Sequence, residues 1–455
     1  MVEKGVRQGA VTSTSLYKLY INDLLQELES AGNGLHVGCI YLGAPTCADD
    51  QLLLADSPND MQAMLNACHK YSTVQKYVIH PGKSSITTLL SQKSEEPTWS
   101  LGPNDLPTTN SFTHLGLEWS CSKLTPNVQS RIKTGRRTAY ALMGTGLHGS
   151  NGMSPAVAIK IINTYVTPRL LYGLDATVLS RKETEELGNY HKSLLRQIQG
   201  LPKTTASEAI YLLIGALPLE AELDTRTLSL FGAICRGAEE NSTLKHLAER
   251  QLALDNSNSW FQRVVQLCTK YNINIEAAVT APWRKASWKT YVKATIKDHW
   301  TLALRETTKS SVKFLDTYGN KNAPHPMWKT CQSHPRLVPA ATVRAQFLTN
   351  TYLTRVRLAK FTKGADKCCP LCKLADEDRE HLLLNCQATK KIREPKLTRL
   401  AELDFDTSGE HGLRKLLNGP PPTTAKCLEI NMTINELCYH VHLHRKRVLE
   451  ANMLA

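Results

Sequence analysis

A chain of 455 residues with 42% hydrophobic and 21% charged residues has the composition of a folded, soluble protein, with length for about two to four domains. Its formal net charge of +14 favours a polyanionic partner, nucleic acid before an anionic membrane. No run of about eighteen apolar residues is present to span a bilayer, and "MVEKGVRQGAV" lacks the apolar segment of a secretory signal. Thirteen mostly scattered cysteines suit free thiols in a reducing compartment, so an intracellular protein is expected, cytoplasmic or nuclear and not secreted.

The first predicted element is a helix over 16–30, "LYKLYINDLLQELES". Leu16, Tyr20, Leu24 and Leu28 fall on one stripe, and Leu19 and Leu25 widen it. Gly32 and Gly34 end it, and "LHVGCIYLG" reads as a strand. Then comes "APTCADDQLLLA", a hairpin-like apolar run interrupted by Asp49 and Asp50. Ser57, Pro58 and Asp60 mark the start of a second helix, with Met61, Met64, Leu65, Cys68 and Tyr71 on its apolar face. "KYVIH", "SSITTLLS" and "SFTHLGLEWS" read as three further short strands between Pro/Gly turns. Helix, hairpin, helix and strands make an α+β unit of the first 120 residues.

Beyond Val128 the pattern becomes mostly helical up to about residue 320. "PAVAIKIINTYVTPRLLYGLDATVL" and "KETEELGNYHKSLLRQIQGL" are its clearest pieces, and basic residues recur, as in "RIKTGRR". "YGNKNAPHPMW" reads as a linker, and 340–363 reads as a basic helix.

The cysteine cluster "CPLCKLADEDREHLLLNC" follows. Cys369 and Cys372 are spaced to grip one ion from a tight turn, and His381 and Cys386 complete a four-ligand set suited to tetrahedral zinc. Four protein ligands leave no open position, so such a site is structural. On a regular helix His381 and Cys386 lie about 140° apart, so both reach one metal only if the helix breaks near Asn385. Cys368 is an alternative ligand, and unrelated thiols beside a core histidine are the bland reading. Lys360, Lys363, Lys367, Lys390, Lys391 and Arg393 flank the cluster and suit a nucleic-acid-binding knuckle.

Two adjacent carboxylates in an apolar hairpin are costly unless a cation neutralises them. Phosphoryl transfer by two metal ions uses carboxylates placed this way. Successive strand residues point to opposite faces, so Asp49 is the better single ligand. On this stretch alone, a polar turn at a hairpin tip is the simpler reading.

The order of "GVRQG" (5–9), "LYKLYINDLL" (16–25), "CADD" (47–50), "HPGKS" (80–84) and "THLGLEW" (113–119) resembles the second half of the reverse transcriptase domain of non-LTR (LINE-type) retrotransposons. "YVTPRLLYGLDA" is similar to the helical region after it, and a CCHC cluster is usual near the C-terminus of such proteins. The resemblance implies that Asp49 and Asp50 are the catalytic, magnesium-binding pair. It places Gly5, Arg7, Gln8 and Gly9 against the templating base and incoming nucleotide, and Lys83 near the nucleotide phosphates, where a solvated turn lysine is the alternative. Leu115 and Gly116 match the turn that grips the primer end. Mg2+ and structural Zn2+ are the implied cofactors, and an RNA template and DNA primer the implied partners.

The chain departs from the family at "VTSTSLYKLY", where Ser-Pro and Phe are common, and at Gln51, where an apolar residue is usual. A third catalytic aspartate belongs on a strand ahead of "GVRQG", where only four residues stand here. Without it, several kcal/mol of transition-state stabilisation would be lost, so a chain inactive on its own is expected. The resulting expectation is a partial palm over 1–120 and a helical thumb and connector over 121–320. A basic helix with CCHC zinc knuckle over 340–400 and a helical tail over 401–455 complete it. RNA-directed DNA synthesis is the function by descent, and a catalytically dead nucleic-acid-binding remnant with a structural zinc is the alternative.

Overall fold

The computed structural model describes residues 10–89, 97–122, 127–149, 152–236, 243–254, 259–280, 283–311, 314–315, 323–332 and 335–454. It is an α+β protein, rich in helix, in which the described strands pair only two by two, all antiparallel. In chain order the first elements are α1 (Ser13–Ser30), β1 (His36–Val37), β2 (Ile40–Tyr41), β3 (Thr46–Cys47), β4 (Asp50–Gln51) and α2 (Pro58–Val74). Then come β5 (Trp99–Leu101), β6 (Asn104–Leu106), β7 (Ser111–His114), β8 (Leu117–Ser120) and α3 (Val128–Met143). The middle of the chain holds α4 (Pro155–Ile161), α5 (Thr167–Leu171), α6 (Arg181–Ile198), α7 (Ser207–Ile214), α8 (Leu219–Arg236), α9 (Thr243–Leu252) and α10 (Trp260–Tyr271). After α11 (Ile275–Thr280) and α12 (Lys285–Ser311) follow α13 (Pro326–Lys329), α14 (Val338–Leu348), α15 (Arg355–Leu358), α16 (Lys390–Glu402), α17 (Gly412–Asn418) and α18 (Cys427–Leu454).

Two compact units result, and they do not follow the chain in blocks. One comprises Met1–Ser130, Ala176–Leu179 and Ser229–Lys285, and the other Arg131–Asp175, Ser180–Leu228 and Ala286–Ala455.

In the first unit, α2 is the central slab. Ser57 caps it by accepting from the Asp60 N–H, as its sequence demands, with Pro58 opening the first turn. Met64, Cys68 and Tyr71 pack on Ile21, Leu24 and Leu28 of α1, while Leu65 packs on Trp99, Leu101 and Leu106 of the β5–β6 hairpin. Full burial of each such Leu stabilises by about 1.5–3 kcal/mol. The stripe expected on α1 is therefore half right. Leu24 and Leu28 are buried, but Leu16 and Leu19 are 50% and 72% exposed, because the α2 contact turns the Ile21 side inward instead.

The strand expectations need correction too. "LHVGCIYLG" is a hairpin turned at Gly38 (φ 65°), and "SFTHLGLEWS" is a hairpin turned at Leu115 and Gly116 (φ 49° and 73°). "KYVIH" leads into a 3-10 turn at Pro81–Lys83, and Ile86 makes a single parallel bridge to Thr108. In each hairpin a left-handed backbone position reverses a segment whose β-forming composition reads as one strand.

In the second unit the core follows α18. Ile430, Ile434, Leu437, Cys438 and Val441 are almost wholly buried, at helical spacing, among residues of α13, α14, α16 and α17. The linker reading of 318–328 fails where it can be checked. Met327 and Trp328 of α13 are fully buried, and residues 316–322 lie outside the described residues. The basic helix expected over 340–363 is two helices, because Asn350 (φ 56°) ends α14 and Thr354 caps α15 by accepting from the Arg357 N–H. Arg344 of α14 is buried rather than basic surface. It donates to the carbonyl of Leu417 (2.8 Å) and to the side-chain oxygens of Asn431 (2.8 Å) and Asn435 (3.1 Å). "PAVAIKIINTYVTPRLLYG" bends through a π-turn at Ile162–Val166 before α5. Pro168 sits two residues past it, in the first turn of α5, where its missing N–H and ring remove the bond back to the preceding turn.

Candidate metal centres

Asp49 and Asp50 sit at the tip of the β3–β4 hairpin. Cys47 pairs with Asp50 in the ladder, and Ala48 and Asp49 make the turn. Ala48 has φ 54°, a left-handed conformation costing an L side chain about 1 kcal/mol or more, directly before the carboxylate pair. Both aspartates are exposed. The hairpin's base is the half-buried part. The Leu54 N–H donates to Gly43 O (2.7 Å) and the Leu35 N–H to Leu54 O (2.8 Å), while Leu53 and Ala55 lean on the α1–α2 core. The pair is thus an exposed, charged tip on an apolar base. One neighbour is Tyr17 of α1, whose phenol is pushed above its ordinary range by burial and, secondarily, by the Asp49 charge. Among the described residues, Asp49 and Asp50 do not join a group of three or more metal-ligating side chains. Carboxylate oxygens are the donor type that Mg2+ prefers, but two of them leave most of an octahedral shell to water and substrate.

The other expected residues of this segment are dispersed over turns. Lys83 is exposed at the end of the Pro81–Lys83 turn, and Leu115 and Gly116 form the exposed β7–β8 turn. Gly5, Arg7, Gln8 and Gly9 lie outside the described residues.

The cysteine cluster is built differently. The Cys369 N–H donates to Ala375 O (2.8 Å) and the Lys373 N–H returns to Cys369 O (2.9 Å), with Lys373 at φ 57°. This closes the Cys-x-x-Cys turn, and Cys368 leaves it to pair as a β-bridge with Asp376. His381 and Cys386 reach the same point through a π-turn, His381–Asn385, closed by the Cys386 N–H on His381 O (2.6 Å). An i→i+5 turn brings residue i+5 back over residue i, and this is the break near Asn385 that the spacing required.

The outcome is convergent. The ligand atoms of Cys369, Cys372, His381 and Cys386 all lie within 4.8 Å of one another. Cys369 Sγ is 3.9 Å from Cys386 Sγ, and Cys372 Sγ is 3.3 Å from His381 Nε2. A tetrahedral zinc with Zn–S near 2.3 Å and Zn–N near 2.05 Å sets these separations at about 3.8 and 3.6 Å, so the donor set fits such an ion. Burial pushes the Cys369 thiol up to about 12 and the Cys386 thiol upward as well. Burial also penalises the Cys372 thiolate, but hydrogen bonds, with the Leu374 N–H foremost, bring its pKa down on balance.

Supporting contacts hold this geometry. Arg393, expected as a surface cation, is buried and donates to Cys386 O (2.9 Å) and to Thr389 Oγ1 (3.1 Å). Glu377, fully buried, forms a two-pronged pair with Arg445 of α18, both contacts at 2.7 Å, and also accepts from the Arg355 N–H (2.8 Å). Arg379 donates to the Phe347 carbonyl at the end of α14 (2.6 Å). Sequence reasoning missed Glu377 and Arg445, since nothing local distinguishes them from the solvated charges around them. Lys360, Lys363, Lys367, Lys390 and Lys391 remain exposed around the knuckle, as does Phe361.

Comparison with known proteins relates the first part of the chain to a family. Residues 1–119 match the family described as reverse transcriptase (RNA-dependent DNA polymerase). Over 208 residues the chain is 24% identical to the RNA-directed DNA polymerase from mobile element jockey of Drosophila funebris, covering 44% of this chain and 22% of that protein. Over 221 residues it is 24% identical to the retrovirus-related Pol polyprotein from type-1 retrotransposable element R2 of Popillia japonica, covering 46% and 35%. The chain thus spans well under half the length of these relatives. No helix among the described residues is long and apolar enough to cross a membrane.

Proposed function

We propose that this chain, a LINE-type reverse transcriptase relative by its first 119 residues, is an RNA-directed DNA polymerase by descent that acts by itself as a nucleic-acid-binding protein with a structural zinc. The observation that carries the reading is the adjacent pair Asp49–Asp50, presented at the tip of a two-stranded hairpin inside the family-matched segment. In that reading Asp49 and Asp50 are ligands for Mg2+, which when bound would stabilise charge on a transferring phosphoryl group. Lys83 would face nucleotide phosphates, and Leu115–Gly116 would face the primer end, with Gly5, Arg7, Gln8 and Gly9 toward template and nucleotide. Among the described residues no third carboxylate joins the pair, which supports the reading of a chain that does not polymerise unaided.

Cys369, Cys372, His381 and Cys386 would hold Zn2+, which orders the segment between α15 and α16 and supplies no open coordination position. The exposed lysines around it would meet phosphates of RNA or DNA. Two assays test the reading. Primer extension on an RNA template with magnesium should give no product from the chain alone, and robust extension that disappears in Asp49→Ala would establish an active polymerase instead. Binding to labelled RNA should weaken steeply as salt rises and should survive Asp49→Ala. Absent or salt-insensitive binding would overturn the reading as a whole.

A further inference from the structure

Between Glu118 and Asp175 the sequence holds no carboxylate, while Lys123, Arg131, Lys133, Arg136, Arg137, Lys160 and Arg169 all lie in that window. The chain's 41 acidic residues are all elsewhere. From Arg131 on, in the second unit, this window folds so that cations and tyrosines share one surface. Lys133, Arg136, Arg137 and Tyr140 are spaced three, four and seven residues along α3, on one face, and all are exposed. Tyr165, Arg169 and Tyr172 follow the same spacing along the π-turn and α5 and are exposed too, with Arg169 Nη1 on Tyr165 O at 2.8 Å. Tyr140, Tyr165 and Tyr172 expose 62%, 49% and 50% of their surface.

The two stripes adjoin. A Cβ on Gly135 would lie 3.2–3.3 Å from Leu170, so the absent side chain lets α3 settle against α5. Arg131 of α3 lies over the ring of Tyr172 at 5.9 Å, and Arg136 lies over Tyr190 of α6 at 5.8 Å. Tyrosines left in water add nothing to a core but are useful as platforms. Every base has a face that can stack on them, and neighbouring guanidinium groups track the phosphates. A duplex keeps its base faces inside the stack and offers only phosphates and groove edges. We propose that the α3–α5 surface is a binding site for single-stranded nucleic acid, with Tyr140, Tyr165 and Tyr172 stacking bases and Lys133, Arg136, Arg137 and Arg169 meeting the backbone. It lies apart in sequence from the zinc knuckle and rests on the reading of the chain as a nucleic-acid binder.

The test uses the full chain, labelled oligo(U) and a labelled RNA duplex, followed by fluorescence anisotropy. Tyr140→Ala/Tyr165→Ala/Tyr172→Ala should weaken oligo(U) binding by about tenfold per tyrosine engaged and leave duplex binding nearly unchanged. The matching triple Phe variant retains the rings and should bind oligo(U) like the parent, which separates stacking from any loss of fold. Lys133→Gln/Arg137→Gln should flatten the salt dependence for oligo(U) by about 0.7 in log–log slope for each phosphate no longer neutralised. Retention of oligo(U) affinity by the Ala variant, or an equal loss on oligo(U) and duplex, would overturn this site while leaving the broader reading intact. Failure of the parent chain to bind any RNA would overturn both.

Discussion

Asp49–Asp50 and the Cys369–Cys372–His381–Cys386 set are both groups of metal-type donors, but the fold invests in them unequally. The carboxylates ride an exposed two-residue ladder whose ordered contacts lie at its base, around Gly43, Leu53 and Leu54. The sulfur and nitrogen donors are drawn together by two closed turns, backed by buried Arg393 and Thr389, and tied to α18 by the Glu377–Arg445 pair. A site of four soft donors can be complete within one short segment. A site for hard divalent ions takes its remaining ligands from substrate, water and other strands, so its local residues can stay in solvent. Completeness within the segment, rather than motif strength, separates the two.

The largest test of this contrast is loss of the zinc set. Structural zinc contributes on the order of 10 kcal/mol to small knuckles, so if the four donors hold zinc as proposed, Cys369→Ser or Cys386→Ser should abolish metal binding and lower the melting temperature sharply. Metal analysis and calorimetry check this, and an unchanged melt would mean that packing alone holds the knuckle. Glu377→Gln should cost about 3–5 kcal/mol in urea unfolding, because it leaves the Arg445 charge in a partly buried place without its counter-charge. His191, buried on α6 beside Tyr211, has its pKa lowered to about 4 by burial. Its ordinary value is about 6.5, so the unfolded chain binds the proton first. The stability it contributes is present above about pH 6.5 and is lost as pH falls toward 4, by about 3 kcal/mol. His191→Gln should flatten that slope in urea titrations. Asp49→Asn should move stability by no more than about 0.5 kcal/mol, as expected of an exposed tip. A large loss there would show that the carboxylate is structural and would erase the contrast.

Much of the layout is legible from the sequence where chemistry is local. Ser57, Pro58 and Asp60 state the start of α2 outright, while the Ser180–Glu183 capping box of α6 emerges only in the structure. The Cys-x-x-Cys turn and the need for a break after His381 follow from spacing alone. Reversals hidden inside β-forming runs do not. "LHVGCIYLG" does not announce its turn at Gly38, and in "SFTHLGLEWS" composition reads as one strand while only the family resemblance points to a turn at Leu115–Gly116, because reversal depends on what pairs across the hairpin. Nor does hydrophobicity choose which side of α1 is buried, since Leu16 and Leu24 are the same residue to a periodicity argument.

What the sequence determines by itself is donor chemistry and its order: two adjacent carboxylates, four zinc-type ligands, a carboxylate-free basic window and the cap of one helix. Of these, the donor sets and the one helix cap read from sequence, at Ser57, are properties of residue types at short range, where backbone geometry leaves few alternatives. The tertiary structure decides which charges are surface and which are core. It buries Arg344, Arg393 and Glu377 and leaves Lys133, Arg137 and the Asp49–Asp50 tip in water. Burying a charge is tolerable only where partners from distant parts of the chain satisfy it, and those partners are fixed only when helices such as α14 and α18 have met.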